Sequence, residues 1–509
     1  MDNNPTSEPS ADQPRRIGRR SVIAGATAAG AMTVVSRTPA LAAEHSAART
    51  TVTDAPTFSK DRPVLFRGAT VITMDKHLGV LHNADVLVKK NKIRAVGHRL
   101  SAPDDAAVIE AHGAILIPGF VDTHRHMWQS TLRGVGADWT LTEYINWIYG
   151  WFKHYRAQDV YTGNYLGQVE AISDGVTTVM DWCHGAQTPE YADAAVDAHF
   201  DLPGRTRFGY GNLFTNDPSW VYGGDVDRML NARFSSPDQL VTMQLALDAV
   251  NLVPNLATAF RYAKERNLAV SSHVGIFGVT GDDAIRFLAD NAFLSPTSTL
   301  VHAATLSDDS YRRIADSGAH LSVSAESELN AGQGYPPTGA ARRFGVPVSL
   351  SMDTVVWWSG DMFSAMRATL DADRGLAFLR AHEAGNGIER NELRAADVLR
   401  YATLGGAEAL GMADLIGSIT PGKLADLVLL RPDTPAMTPV SNPIGHVVFQ
   451  AGRGDVDTVM VNGKVLKHRG VLLGHYLDRA RRLAHESLAH LKSEIGDAEW
   501  DKAIGTAEY

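Results

Sequence analysis

The chain has 509 residues, 44% of them hydrophobic and 21% charged, with 48 basic and 57 acidic side chains and a formal net charge of -9. That length suits a large buried core plus an accessory module, and the composition excludes a mainly disordered or fibrous chain. The acidic balance argues against nucleic acid as a partner, because phosphate contacts need clustered Lys and Arg, and the single cysteine, Cys183, excludes an intrachain disulfide or a four-thiolate cluster.

Arg15-Arg16-Ile17-Gly18-Arg19-Arg20 precedes an Ala/Gly/Val run that starts at Val22, and Thr38 to Ala43 is rich in small residues. Basic, then apolar, then small is the layout of a signal peptide. The paired arginines resemble a twin-arginine export signal. Residues 1–43 are therefore expected to be an address read by the twin-arginine machinery and cleaved near Ala42 or Ala43. The mature protein would then be periplasmic or extracellular. The run is too short and too rich in Gly and Ala to span a bilayer well, so no stable membrane insertion is expected.

Strand-like runs follow at Val64 to Phe66, Thr70 to Thr73, Ala84 to Val88, Lys92 to Val96, Val108 to Ala111 and Ala114 to Ile117. They are too few to bury both faces of a sheet. Matching runs occur near the other end, at Ala425 to Leu430 and on both sides of Asn462-Gly463, a strong hairpin signal. The economical arrangement is a composite β-sandwich from 62–117 and 413–470, with a large α/β domain, 118–412, inserted between. Residues 471–509 read as a C-terminal helical segment, with apolar positions suited to docking or to a homodimer contact.

Between 118 and 412, short apolar runs alternate with amphipathic stretches. Strands are expected at 120–122, 177–180, 207–210, 242–245, 269–272, 299–301, 320–323 and 347–350, with helices such as 159–173, 253–265 and 283–293. Eight strands with interleaved helices predict a (β/α)8 barrel.

The chemistry sits at the ends of these strands. His124 and His126 follow the first, and side chains two apart on an extended segment point the same way. His273, His302 and Asp353 each lie just past another apolar run. Barrel enzymes keep their active sites at this end. Three His nitrogens and one Asp oxygen suit a divalent metal, zinc first, with iron or manganese as alternatives. Cys183 is not needed as a nucleophile beside such a set.

Ile117-Pro118-Gly119-Phe120-Val121-Asp122-Thr123-His124-Arg125-His126 resembles the first-strand signature of the amidohydrolase superfamily. Val301 to Asp308, Ser349 to Asp353 and Gly417 to Val428 resemble its later motifs. The resemblance spans about 62–470 and is nearest to the triazine hydrolase and guanine deaminase-like aminohydrolases. It implies that His124, His126, His273 and Asp353 bind the metal. His302 would bind substrate and shuttle protons, and Asp353 would also take the proton of the attacking water. A second metal would need a bridging Lys on strand four, and Val241 to Asp248 contains none, so one ion per chain is expected.

The pattern departs from the family at one point. Deaminases of this branch carry Glu three residues after the fifth-strand His, and here that residue is Ile276. Either His302 and Asp353 carry all proton transfer, or Glu326 or Glu328 replaces the acid, or the reaction is not a heterocycle deamination. Substrate-binding candidates are Gln129, implied by the guanine deaminase-like branch, together with His184, Trp357 and Trp358. Paired Trp residues beside the metal favour a planar or aromatic small molecule. The function expected is a secreted single-metal hydrolase acting at a C–N bond of a cyclic or aromatic substrate. The alternatives are an amide, carbamate, carbon–halogen or C–C hydrolase, or a metal-containing binding protein that has lost turnover.

Overall fold

The computed structural model describes Phe58, Ser59 and residues 61–211, 224–248 and 256–505. The expected export signal, 1–43, lies outside these residues, as do the first three positions of the helix expected at 253–265.

Five strands open the described chain: β1 (Val64–Ile72), β2 (Val80–Lys89), β3 (Lys92–Gly97), β4 (Ala107–Glu110) and β5 (Ile115–Pro118). Eight more belong to the insert: β6 (Phe120–Arg125), β7 (Val176–Cys183), β8 (Arg205–Gly211), β9 (Val241–Leu247), β10 (Val270–Val274), β11 (Ser298–His302), β12 (His320–Val323) and β13 (Val348–Leu350). The chain then returns through β14 (Leu427–Leu430), β15 (Val456–Val461), β16 (Lys464–His468) and β17 (Val471–Leu472).

Strands from both ends form one nine-stranded sheet in the order β17-β16-β15-β14-β5-β1-β2-β3, with β4 on β1. The two halves join where β14 runs antiparallel to β5, pairing Leu427 with Pro118 and Leu430 with Ile115. Val64, Phe66, Val86 and Leu116 share a core with Leu427, Leu429 and Met460, so neither half buries its apolar face alone. The eight insert strands form the parallel sheet β13-β12-β11-β10-β9-β8-β7-β6. It closes at its ends through a parallel bridge between Arg125 and Asp353. This is the (β/α)8 barrel.

The expected helices at 159–173 and 283–293 are found at Ala157–Ser173 and Asp282–Asp290. The C-terminal segment forms the helices Tyr476–Ile495 and Asp497–Ala503. The second of these covers a tryptophan cluster near the barrel rim. Trp500 stacks on Trp151 at 5.5 Å, and the Trp139 indole donates to Ala503 O.

A buried ion pair ties the barrel to the end sheet. Arg205, at the start of β8, donates twice to Asp426 at 3.0 and 3.1 Å, and Asn462 N also donates to Asp426. Removing one partner of such a pair leaves an uncompensated buried charge. Asp426→Ala is therefore expected to lower unfolding stability by about 3–5 kcal/mol, read from denaturant titration.

Candidate metal centre and active site

The strand ends bring the four candidate ligands together. His124 Nε2 lies 3.4 Å and His126 Nε2 3.3 Å from Asp353 Oδ1, and His273 Nε2 lies 3.2 Å from His124 Nε2. His302 joins the same cluster, its ring stacked on His273 at 5.6 Å. All five side chains are buried. His302, Ala303 and Asp353 have φ of +69°, +53° and +60°. Non-glycine residues adopt that region at a cost, and clusters of them mark functional sites. Here the left-handed turns fall where the strands end and the two side chains enter the cluster.

The ring nitrogens are sorted by their outer partners. The His126 Nδ1–H donates to Trp182 O at 3.0 Å, and the His273 Nδ1–H donates to Asp248 Oδ1 at 2.6 Å. Both rings then present an Nε2 lone pair to the cluster. Burial holds His124 down to about 3 and His126 well below its usual range, so the imidazoles are neutral. Burial pushes the Asp353 carboxyl up, and the neighbouring His124, His126 and His302 carry it the other way, well below its usual range. Neutral lone pairs facing a carboxylate repel unless a cation lies between them. Ligand atoms about 2.0–2.1 Å from a tetrahedral ion are about 3.3 Å apart, the separation seen between Asp353 and both His124 and His126 and between His273 and His124. His124, His126 and Asp353 bring ligand atoms within 4.8 Å of one another, and His273 joins through His124 in an overlapping group with His302, so the donors suit a divalent ion such as zinc.

Asp248 was not recognised from the sequence as a site residue. It stands just past β9 and accepts from His273 and from His184 Nε2 at 3.1 Å. Burial raises its pKa, and the two histidines overcome that and keep it an anion. His184 stacks on His126 at 4.7 Å, next to the residues that line the cavity. Trp182 stacks on His273 at 3.8 Å and fixes that ring from the barrel interior. Ser327 Oγ donates to Asp353 Oδ2.

Next to the cluster is a cavity of about 80 Å3. His126, His273, His302, Asp248 and Asp353 form its floor. Leu141, Tyr144, Ile145, Tyr149, Ile276, Val279, Gln333 and Trp357 form its walls. Of the expected substrate contacts, Trp357 is placed on this wall. Trp358 stacks on Trp357 at 4.9 Å, and its indole N–H donates to Met352 O. Gln129 is buried behind the wall, with Nε2 donating to Tyr144 at 2.5 Å and Oε1 accepting from Thr354 at 2.6 Å. Ile276 occupies the wall where the family's Glu was expected.

Glu326 and Glu328 sit on a short helix, Ala325–Asn330, and diverge. Residues two apart on a helix face nearly opposite ways. Glu328 lies 3.4 Å from His302 Nδ1 and accepts from Ser324 N at 2.9 Å, so it orients His302 from behind. Glu326 faces the helix Met362–Glu383 and accepts from Ser364 at 2.8 Å, away from the cavity. Cys183 is buried, and burial raises its thiol pKa well above the usual range.

Residues 115–466 match the family model described as "Amidohydrolase family". The chain belongs to the amidohydrolase family and carries the convergent His/Asp cluster of a metal-dependent hydrolase. It is 27% identical over 407 residues to a 5'-deoxyadenosine deaminase of Methanothermobacter thermautotrophicus, covering 77% of this chain and 91% of the relative. It is 27% identical to a 5-methylthioadenosine/S-adenosylhomocysteine deaminase of Pyrococcus furiosus, covering 77% of this chain and 92% of that protein. Among solved structures, atrazine chlorohydrolase from Arthrobacter aurescens, complexed with zinc, superposes with a TM-score of 0.73 at 23% identity. That match covers 84% of this chain and 100% of the other, and it shows the shared fold.

Burial pushes the Glu326 carboxyl up to about 7 against the lowering by Ser364. A raised folded pKa gives stability that is full below the unfolded value near 4.5 and is lost as pH rises through 7. Glu326→Gln, which mimics the protonated form, is expected to match the wild type in Tm near pH 4. Above pH 7 its Tm should be the higher, with an unfolding free energy greater by on the order of 2 kcal/mol. The measurement is thermal unfolding of both proteins across that range.

Proposed function

We propose that this member of the amidohydrolase family is a single-metal hydrolase that displaces an amine or ammonia from a ring carbon of a small, planar, uncharged heterocycle. The observation that carries the reading is the convergence of His124, His126, His273 and Asp353 at the floor of a cavity with aromatic and aliphatic walls. The deaminase relatives support the C–N assignment, and the zinc in the chlorohydrolase structure supports the choice of metal.

An ion held by these four residues supplies Lewis acidity and lets a water ionise near neutral pH. The chain supplies the rest. Asp353 stays ionised, is held through Oδ2 by Ser327, and takes the proton of the attacking water. His302, backed by Glu328, faces the cavity and stabilises negative charge growing on the ring. Trp357 offers an indole face to a planar ring. Leu141, Ile145, Ile276 and Val279 exclude water and disfavour a charged substituent.

The Ile276 side chain favours a second reading, in which the same site expels halide or another group that leaves without a proton. The two are separated by assaying the zinc-loaded chain on ring heterocycles that differ only in leaving group. The pattern Arg15-Arg16 to Ala43 supports export through the twin-arginine route, tested by N-terminal sequencing of protein recovered from outside the cytoplasm.

Elemental analysis of purified protein is expected to give about one zinc per chain, and His273→Ala and Asp353→Ala are expected to lose it. Two ions per chain, or none after reconstitution, would sink the single-metal reading. Asp248→Asn is expected to keep the fold and weaken zinc binding by about 10–100-fold, read by chelator competition, because His273 and His184 lose the anionic two-oxygen acceptor they share.

A further inference from the structure

One turn on the cavity wall is held by its backbone and leaves its side chain unpaired. Gln333 lies between Gly332 and Gly334, whose φ values are +73° and +145°. A Cβ at Gly334 would stand 2.6 Å from the Ala304 side chain, so glycine lets the turn press on the segment just after His302. The Gln333 N–H donates to Glu328 O at 3.2 Å, and its carbonyl accepts from Phe277 N at 2.8 Å. These bonds fix the turn between the helix Ala325–Asn330 and the residue after Ile276. With the backbone groups turned to Glu328 and Phe277, the side chain is left to meet the cavity. Gln333 lines that cavity and is only 3% exposed.

Among the described residues that line the cavity, Gln333 Oε1 is the one buried side-chain nitrogen or oxygen with no hydrogen-bond partner. Leu141, Ile145, Ile276 and Val279 have no polar side-chain atom to offer it. A buried amide oxygen left bare is costly, and native structures seldom keep one without a use. Here the missing donor is supplied by the molecule that fills the cavity.

Resting on the hydrolase reading, we propose that Gln333 is a substrate-binding residue that sets specificity: its amide oxygen accepts an N–H on the ring's edge, apart from the group that leaves. A primary amide carries its own N–H donors beside that oxygen. The edge it complements is a donor next to an acceptor. An exocyclic amine beside a ring nitrogen has that pattern, and so does a lactam. Glutamine pairs with the amino edge of adenine in the same two-point way. The substrate class narrows to amino-substituted nitrogen heterocycles and lactams. A ring whose edge nitrogen is fully alkylated would bury the amide oxygen bare, so the site rejects it.

The test uses the full zinc-loaded chain and 1,3,5-triazines that carry hydrogen at C2, where nothing can leave, and an amino, methylamino or dimethylamino group at C4. Calorimetry then reads binding without turnover. The wild type is expected to bind the amino and methylamino rings about 10–100-fold more tightly than the dimethylamino ring. Gln333→Leu, close to glutamine in volume, is expected to bring the three within about twofold of one another, with zinc content unchanged. A leucine variant that keeps the preference shows that bulk is what is read, and it overturns the proposal. A wild type without the preference overturns it too. Gln333→Met carries the same comparison if Gln333→Leu fails to fold. The same rings with chloro or amino at C2 test the hydrolase reading separately. A wild type that shows the Gln333-dependent preference but turns over none of them overturns that reading and supports the N–H contact. A zinc-replete wild type that binds none of the rings overturns this proposal.

Discussion

The site depends on how the barrel closes. Strands β13 and β6 are the two ends of the eight-stranded sheet, and β13 is only three residues long. Closure is made beyond it, where Asp353 N donates to His124 O at 2.9 Å and His126 N donates to Asp353 O at 2.7 Å. The backbones that seal the barrel thus belong to three of the four candidate ligands. Asp122 reinforces the seam, accepting from His124 N and Met352 N at 3.2 Å each while pairing with buried Arg125. Fold and site are one structural event here, so a ligand backbone cannot shift without opening the barrel.

A second layer turns that geometry into a cation site. Trp182 O and Asp248 fix which nitrogen of His126 and His273 carries the proton, and Ser327 and Glu328 hold Asp353 and His302. Each partner comes from a different strand end or the helix after β12. Buried imidazoles are costly to charge, and the carboxylate is costly to neutralise among them. The arrangement therefore holds neutral lone pairs against a fixed anion. That distribution is stable around a divalent ion and poor as a purely structural core.

Much of this was legible from the chain alone. The eight apolar runs, their spacing and the residue just past each one give the barrel and five of its site residues, because strand period and strand-end placement are local properties. The two-ended sheet was legible for a similar reason, since neither set of strands could cover its own apolar face. What stayed hidden depends on contacts between distant segments. Asp248 has the same strand-end placement as the ligands, but its role exists only because His184 and His273 reach it from β7 and β10. Gln129 looks like a substrate contact until the Leu141–Tyr149 segment folds over it and takes its amide. Glu326 and Glu328 were equivalent in a loop. Only the helix Ala325–Asn330 sends one towards His302 and the other towards Ser364.

At Ile276 the chain sets an aliphatic side chain on the cavity wall where the family pattern has an acid. A carboxyl on the wall after β10 would sit beside His273 and repel Asp248 and Asp353, both already anionic in the same cavity. An aliphatic side chain removes that repulsion and dries the wall. Tyr144 and Tyr149 line the same cavity, and Gln129 donates to the Tyr144 oxygen from behind it.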